Sequence, residues 1–200
     1  MTTSAVLWSD YLCPWCYLGR ATTRLIRELD LEVRIRPYEL HPNLPPAGKP
    51  IRGERSAVYR HIATECEQIG MPFRIPDHIP NSRLALETAS IVAHDHPHLF
   101  AAVDDALFEA YFVAGQSLAD PAVVNSILEA AGLPVKTITE SVAAGRGTAE
   151  IERSMSDARS LGITAVPSWW IDDVFLLPGV QDPASVTRWV TKLRDKNHTS

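Results

Sequence analysis

A short apolar run, Ala5-Val6-Leu7-Trp8, leads closely into Cys13-Pro14-Trp15-Cys16. Beyond the second cysteine, Leu18, Ala21, Thr22, Leu25, Ile26 and Leu29 recur on one helical face. The next stretch, Leu31 to Pro37, alternates apolar and charged residues and stops at a proline. Strand, helix and strand within about thirty residues make a βαβ unit, which requires parallel strands. The cysteine pair then lies where the first strand hands over to the helix. A cysteine at a helix start sits among unpaired N–H groups at the positive end of the helix dipole, which favours its thiolate. The thiolate is the nucleophile in thiol chemistry. The second cysteine follows one turn later, within reach of a disulfide.

The rest of the chain turns helical from about Glu54 and stays so for most of its middle. Helices are expected from Glu54 to Ile69, Arg83 to His94, Pro97 onward, Pro121 to Gly132, after Pro134, and from Thr148 to Leu161. Asn81 or Ser82, and Asp120 before Pro121, supply the capping chemistry. Strands return at Ala165 to Ile171 and Val174 to Leu177, separated by an Asp172-Asp173 turn. A last helix starts at Asp182-Pro183. Neither β-containing end is large enough to stand alone, so the two are expected to pair into one sheet. Residues 1–53 and 148–200 would form that α/β domain, and residues 54–147 an inserted all-helical one.

Composition narrows the functional classes. The chain has 200 residues and a net charge of -5, without a basic block for nucleic acid or an anionic membrane surface. No stretch is apolar for long enough to span a bilayer, and the first residues lack the form of a signal peptide. A cytoplasmic setting is therefore expected, where thiols are mostly kept reduced. With only Cys13, Cys16 and Cys66 present, the chain is no disulfide scaffold. A structural zinc site needs two more ligands than the close pair gives, and only Cys66 and the preceding His61 are at hand, so no metal is expected. Cys66, beside Ile62 and Ile69 in a helix, reads as a buried small apolar residue. His94, His96 and His98 read as a solvated helix end.

Together with that outline, several stretches resemble the DsbA-like family and, within it, the FrnE-like branch related to 2-hydroxychromene-2-carboxylate isomerases. They are Asp10 to Cys16, Tyr38-Glu39-Leu40-His41-Pro42-Asn43, Asn81-Ser82, Phe108-Glu109-Ala110-Tyr111-Phe112, Gly162 to Ser168, and Pro178-Gly179-Val180-Gln181. The resemblance implies a thioredoxin fold, an α/β mixed sheet in the order β-α-β … α-β-β-α, with a large helical insertion. It implies a thiol–disulfide oxidoreductase in which Cys13 attacks, Cys16 resolves, Pro14 stiffens the turn and Trp15 stands exposed. It further implies that Val166-Pro167 is a cis peptide facing the pair and offers backbone to a bound polypeptide. Glu39 is a candidate carboxylate beneath Cys16, and His41 a candidate for proton transfer; a surface carboxylate and a loop histidine without a role are the plain alternatives. Asn81 matches a cleft position of the isomerase relatives, though a helix cap explains it equally well.

The implied partners are thiol- or disulfide-containing proteins or small thiols, with glutathione a possible co-substrate and no other cofactor. No nucleic acid or membrane is implied, and the protein would be a monomer or homodimer. A glutathione-dependent isomerase of aromatic or polyketide-like compounds is the second reading, opposed by the cysteine pair, since those relatives usually carry serine at the Cys13 position. A non-catalytic peptide-binding or chaperone module is the third.

Overall fold

The computed structural model describes residues 4–198, with only the backbone path described at residues 54, 55 and 194–198. Strand β1 (Ser4–Ser9), helix α1 (Pro14–Glu28) and strand β2 (Glu32–Pro37) form the expected βαβ unit. β1 and β2 are parallel, with Ser4 opposite Glu32 and Ser9 opposite Pro37. Far along the chain, β5 (Ser168–Ile171) joins β1 antiparallel, with Trp8 opposite Ser168. β6 (Phe175–Pro178) then pairs with β5, giving the sheet order β2-β1-β5-β6. The turn between them has both Asp172 and Asp173 at positive φ, 54° and 58°, a conformation a short polar side chain tolerates, and the Val174 N–H closes it on the Ile171 carbonyl at 3.2 Å.

Side chains alternate across the sheet as a period of two dictates. Ala5 and Leu7 pack with Ile26 of α1 and with Val186 and Val190 of the last helix, α8 (Pro183–His198). Val6 and Trp8 face the opposite way, into a larger core. Trp169 and Trp170 divide between the same two faces. The larger core is shared with the helical segment: α2 (Glu54–Gln68), α3 (Arg83–Asp95), α4 (Pro97–Phe112), α5 (Pro121–Ala130), α6 (Val135–Ala143) and α7 (Arg146–Ser160). Helix and sheet residues therefore bury one another in a single apolar cluster. Arg36 fastens the sheet to α7, its guanidinium over the Trp8 ring and 2.6 Å from Asp157. α3 and α7 approach so closely that a Cβ on Gly147 would lie 2.5 Å from the Glu87 Cβ.

Three details differ from the sequence reading. The strand expected from Ala165 starts only at Ser168. Pro167 has no N–H for the ladder, and residues 165–167 form a bend closed by the Ser168 hydroxyl donating to the Ala165 carbonyl at 2.8 Å. The helix expected from Thr148 starts at Arg146, because Gly145 at φ 78° turns the chain into it. A two-residue antiparallel pair, β3 (Lys49–Pro50) with β4 (His78–Ile79), straps the proline-rich loop to the segment after α2. It carries no alternation a sequence could reveal. What fixes it is Gly48, at φ 68°, where a Cβ would fall 2.2 Å from the Ile79 carbonyl oxygen.

Candidate active site

Cys13 is the N-cap of α1. Its backbone is extended (φ -83°, ψ 115°) and no side chain caps the helix. Its carbonyl accepts the first helical bonds, from the Cys16 N–H at 3.0 Å and the Tyr17 N–H at 3.1 Å. Pro14 fills the first helical position, where a missing N–H costs nothing. The Cys13 thiol lies 3.5 Å from the Val166 carbonyl oxygen, and the Val166–Pro167 peptide is cis. Pro167 in turn rests on α1 at Gly19, where a Cβ would stand 3.1 Å from the Pro167 Cγ and 3.1 Å from the Trp169 ring. The structure thus brings Cys13, Cys16, Val166 and Pro167 together. All three cysteines are free thiols, and Cys13 and Cys16 are each only 3% exposed.

Burial pushes the Cys16 thiol well above the ordinary thiol range, and the adjacent Cys13 thiol adds to the rise. The Asp10 backbone and the Ser9 hydroxyl, both bonded to the Cys16 sulfur, pull it back down without prevailing. Three acidic side chains are buried nearby or one layer out. Asp10 accepts the Leu40 N–H at 2.8 Å, the Leu12 N–H at 3.2 Å and the Ser82 hydroxyl. Burial still raises it to about 6. It knots the cysteine turn, the loop after β2 and the start of α3 to one another. Asp104, from α4, accepts the Tyr11 hydroxyl at 2.9 Å and is likewise raised to about 6 by burial. Glu39 is raised by burial and held down by Arg83, whose guanidinium sits 2.5 Å from its carboxylate.

That ion pair places Glu39 differently from the expectation of a carboxylate beneath Cys16. A cavity does reach Cys16 from behind, but its carboxylates are Asp104 and Asp105, with Ser9, Arg20 and Thr23 also on its wall. Asn81 bridges two segments: its amide donates to the Leu44 carbonyl at 2.7 Å and its oxygen accepts the Arg83 N–H at 2.9 Å. It therefore caps α3 and holds the loop after β2, while Ser82, the formal cap position, turns its hydroxyl to Asp10. His41 is half-buried in that loop, its carbonyl accepting the Leu44 N–H at 3.0 Å. Trp15 is half-buried, against the expectation of an exposed ring, because α2 brings His61 to within 5.6 Å of it, centroid to centroid. Cys66 is fully buried in α2, and burial lifts its thiol to about 11.

Asp10 and Asp104 are the residues the sequence reading passed over. Asp10 lies at the start of the Asp10-to-Cys16 motif, where its spacing carries no signal of its own. Asp104 sits on the apolar stripe of α4, between Val103 and Leu107, and a carboxylate there was the available signal. Among the described residues, no group of three or more histidines, cysteines and acids is placed to hold a metal ion. None of their helices is long and apolar enough to cross a membrane.

A sequence model of the DSBA-like thioredoxin domain family matches residues 5–188. The chain belongs to that family. Among curated proteins it is similar to YwbO of Bacillus subtilis, 28% identical over 188 residues, covering 90% of this chain and 91% of the relative. The fold is that of a probable DsbA oxidoreductase from Streptomyces coelicolor, with a TM-score of 0.84 at 23% identity, over 95% of this chain and 89% of that one. It also resembles the cytosolic disulfide reductase DsbM of Pseudomonas aeruginosa, solved with GSH (TM-score 0.72, 18% identity, 96% and 99% coverage). A 2-hydroxychromene-2-carboxylate isomerase shares the fold at a TM-score of 0.76 and 16% identity, over 98% of each chain.

Proposed function

We propose that this protein is a thiol–disulfide oxidoreductase of the FrnE-like branch that works through Cys13 and Cys16. The Cys13 thiolate attacks a substrate disulfide, forming a mixed disulfide, and Cys16 displaces the bound half to leave a Cys13–Cys16 disulfide. Reversed, the same steps donate the disulfide. Val166 and Pro167 offer the backbone against which an extended substrate lies, with Asn81 and His41 as further candidates for contact with it. The substrates are disulfide-containing proteins or small thiols, glutathione among them, in the cytoplasm and without metal or bound organic cofactor. The observation that supports this most is the pair of free thiols one helical turn apart, the first at an uncapped helix start and facing the Val166 carbonyl.

The test is exchange with oxidised glutathione. Cys16→Ser is expected to accumulate a glutathione adduct on Cys13, seen by intact-mass spectrometry, and Cys13→Ser to form none. Full exchange by Cys13→Ser would overturn the reading. Glutathione-dependent isomerisation that survives Cys13→Ser would favour the isomerase. Suppression of aggregation that survives loss of both sulfurs, with no exchange in the native protein, would favour a chaperone.

A further inference from the structure

β2 is an edge strand of the sheet and pairs only with β1. Among the described residues, the backbone of residues 32–37 has no ladder partner on its other side. An edge of this kind is a template for a further strand. Beside it lies an open groove of about 590 Å³, walled by residues 34–37 of β2 and by the sides of α3 and α7. Ligand sites commonly occupy about 300–1,000 Å³. Although the chain carries a net charge of -5, this wall holds four arginines, Arg34, Arg36, Arg146 and Arg153, against one carboxylate, Glu150.

Two of these arginines are committed within the chain. Arg36 sits 2.6 Å from Asp157, and Arg146 makes two bonds of 2.9 Å to Asp95. Arg153 meets Glu150 at 3.1 Å, with both side chains open to solvent, a pairing that contributes little. Arg34 is exposed and has no ion pair among the described residues. Glu32, at the start of the strand, lies outside the groove. Arg34 and Arg36 stand two apart and share the strand face that Arg36 turns to α7, whereas Ile35 turns to the apolar core on the other face. A strand laid along this edge would meet arginine at every second position and apolar surface between. The repeated positive charge repels the same edge of another copy and favours an acidic strand.

We propose that the groove beside β2 docks an acidic, extended segment of the protein whose disulfide is exchanged at Cys13. The inference rests on the oxidoreductase reading and names a class of substrate for it: proteins in which acidic and apolar residues alternate near a cysteine. The docked segment adds to the edge of β2 through backbone hydrogen bonds, a mode in which alternate side chains give the specificity. Its carboxylates face Arg34 and Arg153, and its apolar side chains lie along Ile35. The groove ends on the cysteine side of the sheet. Pro37 stands opposite Ser9, the Tyr38 N–H continues the pairing to the Ser9 carbonyl at 2.9 Å, and the Cys13 N–H closes the next turn on the Asp10 carbonyl at 3.1 Å. An extended chain advances about 3.3 Å per residue, so a few residues link the docked segment to the reacting sulfur.

The test has a binding arm and an exchange arm. In the first, fluorescence anisotropy follows a labelled peptide of sequence Glu-Val-Glu-Val-Glu, with Lys-Val-Lys-Val-Lys as the control, at low and high salt. The acidic peptide is expected to bind and the lysine peptide not, with binding weakened by salt. Arg34→Glu should weaken it about tenfold or more, since it sets like charges against each other, and Arg153→Gln should weaken it by a smaller factor. In the second arm, each peptide carries a cysteine joined to glutathione, and the ratio of the two exchange rates is measured. The native protein should prefer the acidic peptide, and Arg34→Glu should cut that preference about tenfold. Equal binding of the two peptides overturns the proposal, as does binding that Arg34→Glu leaves intact. Citrate that binds as tightly as the peptide would make this a site for small anions, and sedimentation showing self-association lost in Arg34→Glu would make it a contact between copies; either result overturns the proposal. Failure of the native protein to exchange with oxidised glutathione would instead refute the oxidoreductase reading, while the binding arm would still report on the groove.

Discussion

Gly19→Ala separates the stability of this protein from the geometry of its site. The new methyl would stand 3.1 Å from the Pro167 Cγ and 3.1 Å from the Trp169 ring, where ordinary carbon contacts lie at about 3.5–4.0 Å. Overpacking of this kind costs about 1–3 kcal/mol, and exchanging glycine for alanine within a helix returns about 1 kcal/mol. The net loss is about 0–2 kcal/mol, or up to about 8 °C in Tm for a chain of this length. The overlap is relieved where the structure yields most easily. Trp169 is fully buried and its ring N–H donates to the Thr23 hydroxyl at 3.3 Å, whereas Pro167 belongs to a bend. The bend therefore moves, and it carries the Val166 carbonyl away from the Cys13 thiol, now 3.5 Å distant. Misplacement by 1 Å can cost about a hundredfold in rate, so a shift of about half that predicts a loss of about tenfold in exchange with oxidised glutathione. Thermal unfolding and initial exchange rates measured side by side decide the matter. An unchanged exchange rate in a folded variant refutes the reasoning, and so does a fall in Tm beyond about 10 °C, which would mean that Trp169 had yielded instead.

Gly147→Ala should be far worse, because its methyl would meet the Glu87 Cβ at 2.5 Å, its Cα at 2.7 Å and its carbonyl oxygen at 2.8 Å. Backbone cannot swing aside, so α3 and α7 must separate, and urea unfolding is expected to show a loss at or above the upper end of the overpacking range of about 1–3 kcal/mol. The buried carboxyl of Asp104 gives a signed pH effect: its rise from 3.8 to about 6 on folding means the folded state binds more protons between those values. Stability from this group is therefore present at low pH and lost as pH rises to about 6, by about 3 kcal/mol. Asp104→Asn, compared with the native chain by urea unfolding at pH 4 and pH 7.5, should gain about that much in relative stability at the higher pH; a constant difference would show that the carboxyl does not titrate where burial puts it.

Much of this site was legible because its parts are local. A strand, a cysteine pair and an amphipathic run adjoin one another in sequence, so the N-cap position of Cys13 and the spacing of Cys16 follow from helix geometry alone. The contact between Cys13 and Val166 spans most of the chain. It was legible only through resemblance, since nothing in the residues around Pro167 says which sulfur they face. Glu39 shows the limit of placing a residue by strand position. Being just past β2 put it on the right edge of the sheet, but its direction was decided by Arg83 on α3, a partner that only the folded chain supplies.

Asp104 is the converse. Its neighbours in sequence mark an apolar helix face, on which a carboxylate is expensive unless something meets it. Here the Tyr11 hydroxyl, two residues before the cysteine pair, meets it across the gap between α1 and α4. A buried acid on an apolar stripe is therefore a question that sequence can raise and leave open: which distant group makes its burial tolerable. In this protein the answer is partial, because a single hydroxyl offsets only part of the desolvation and the carboxyl is left raised to about 6.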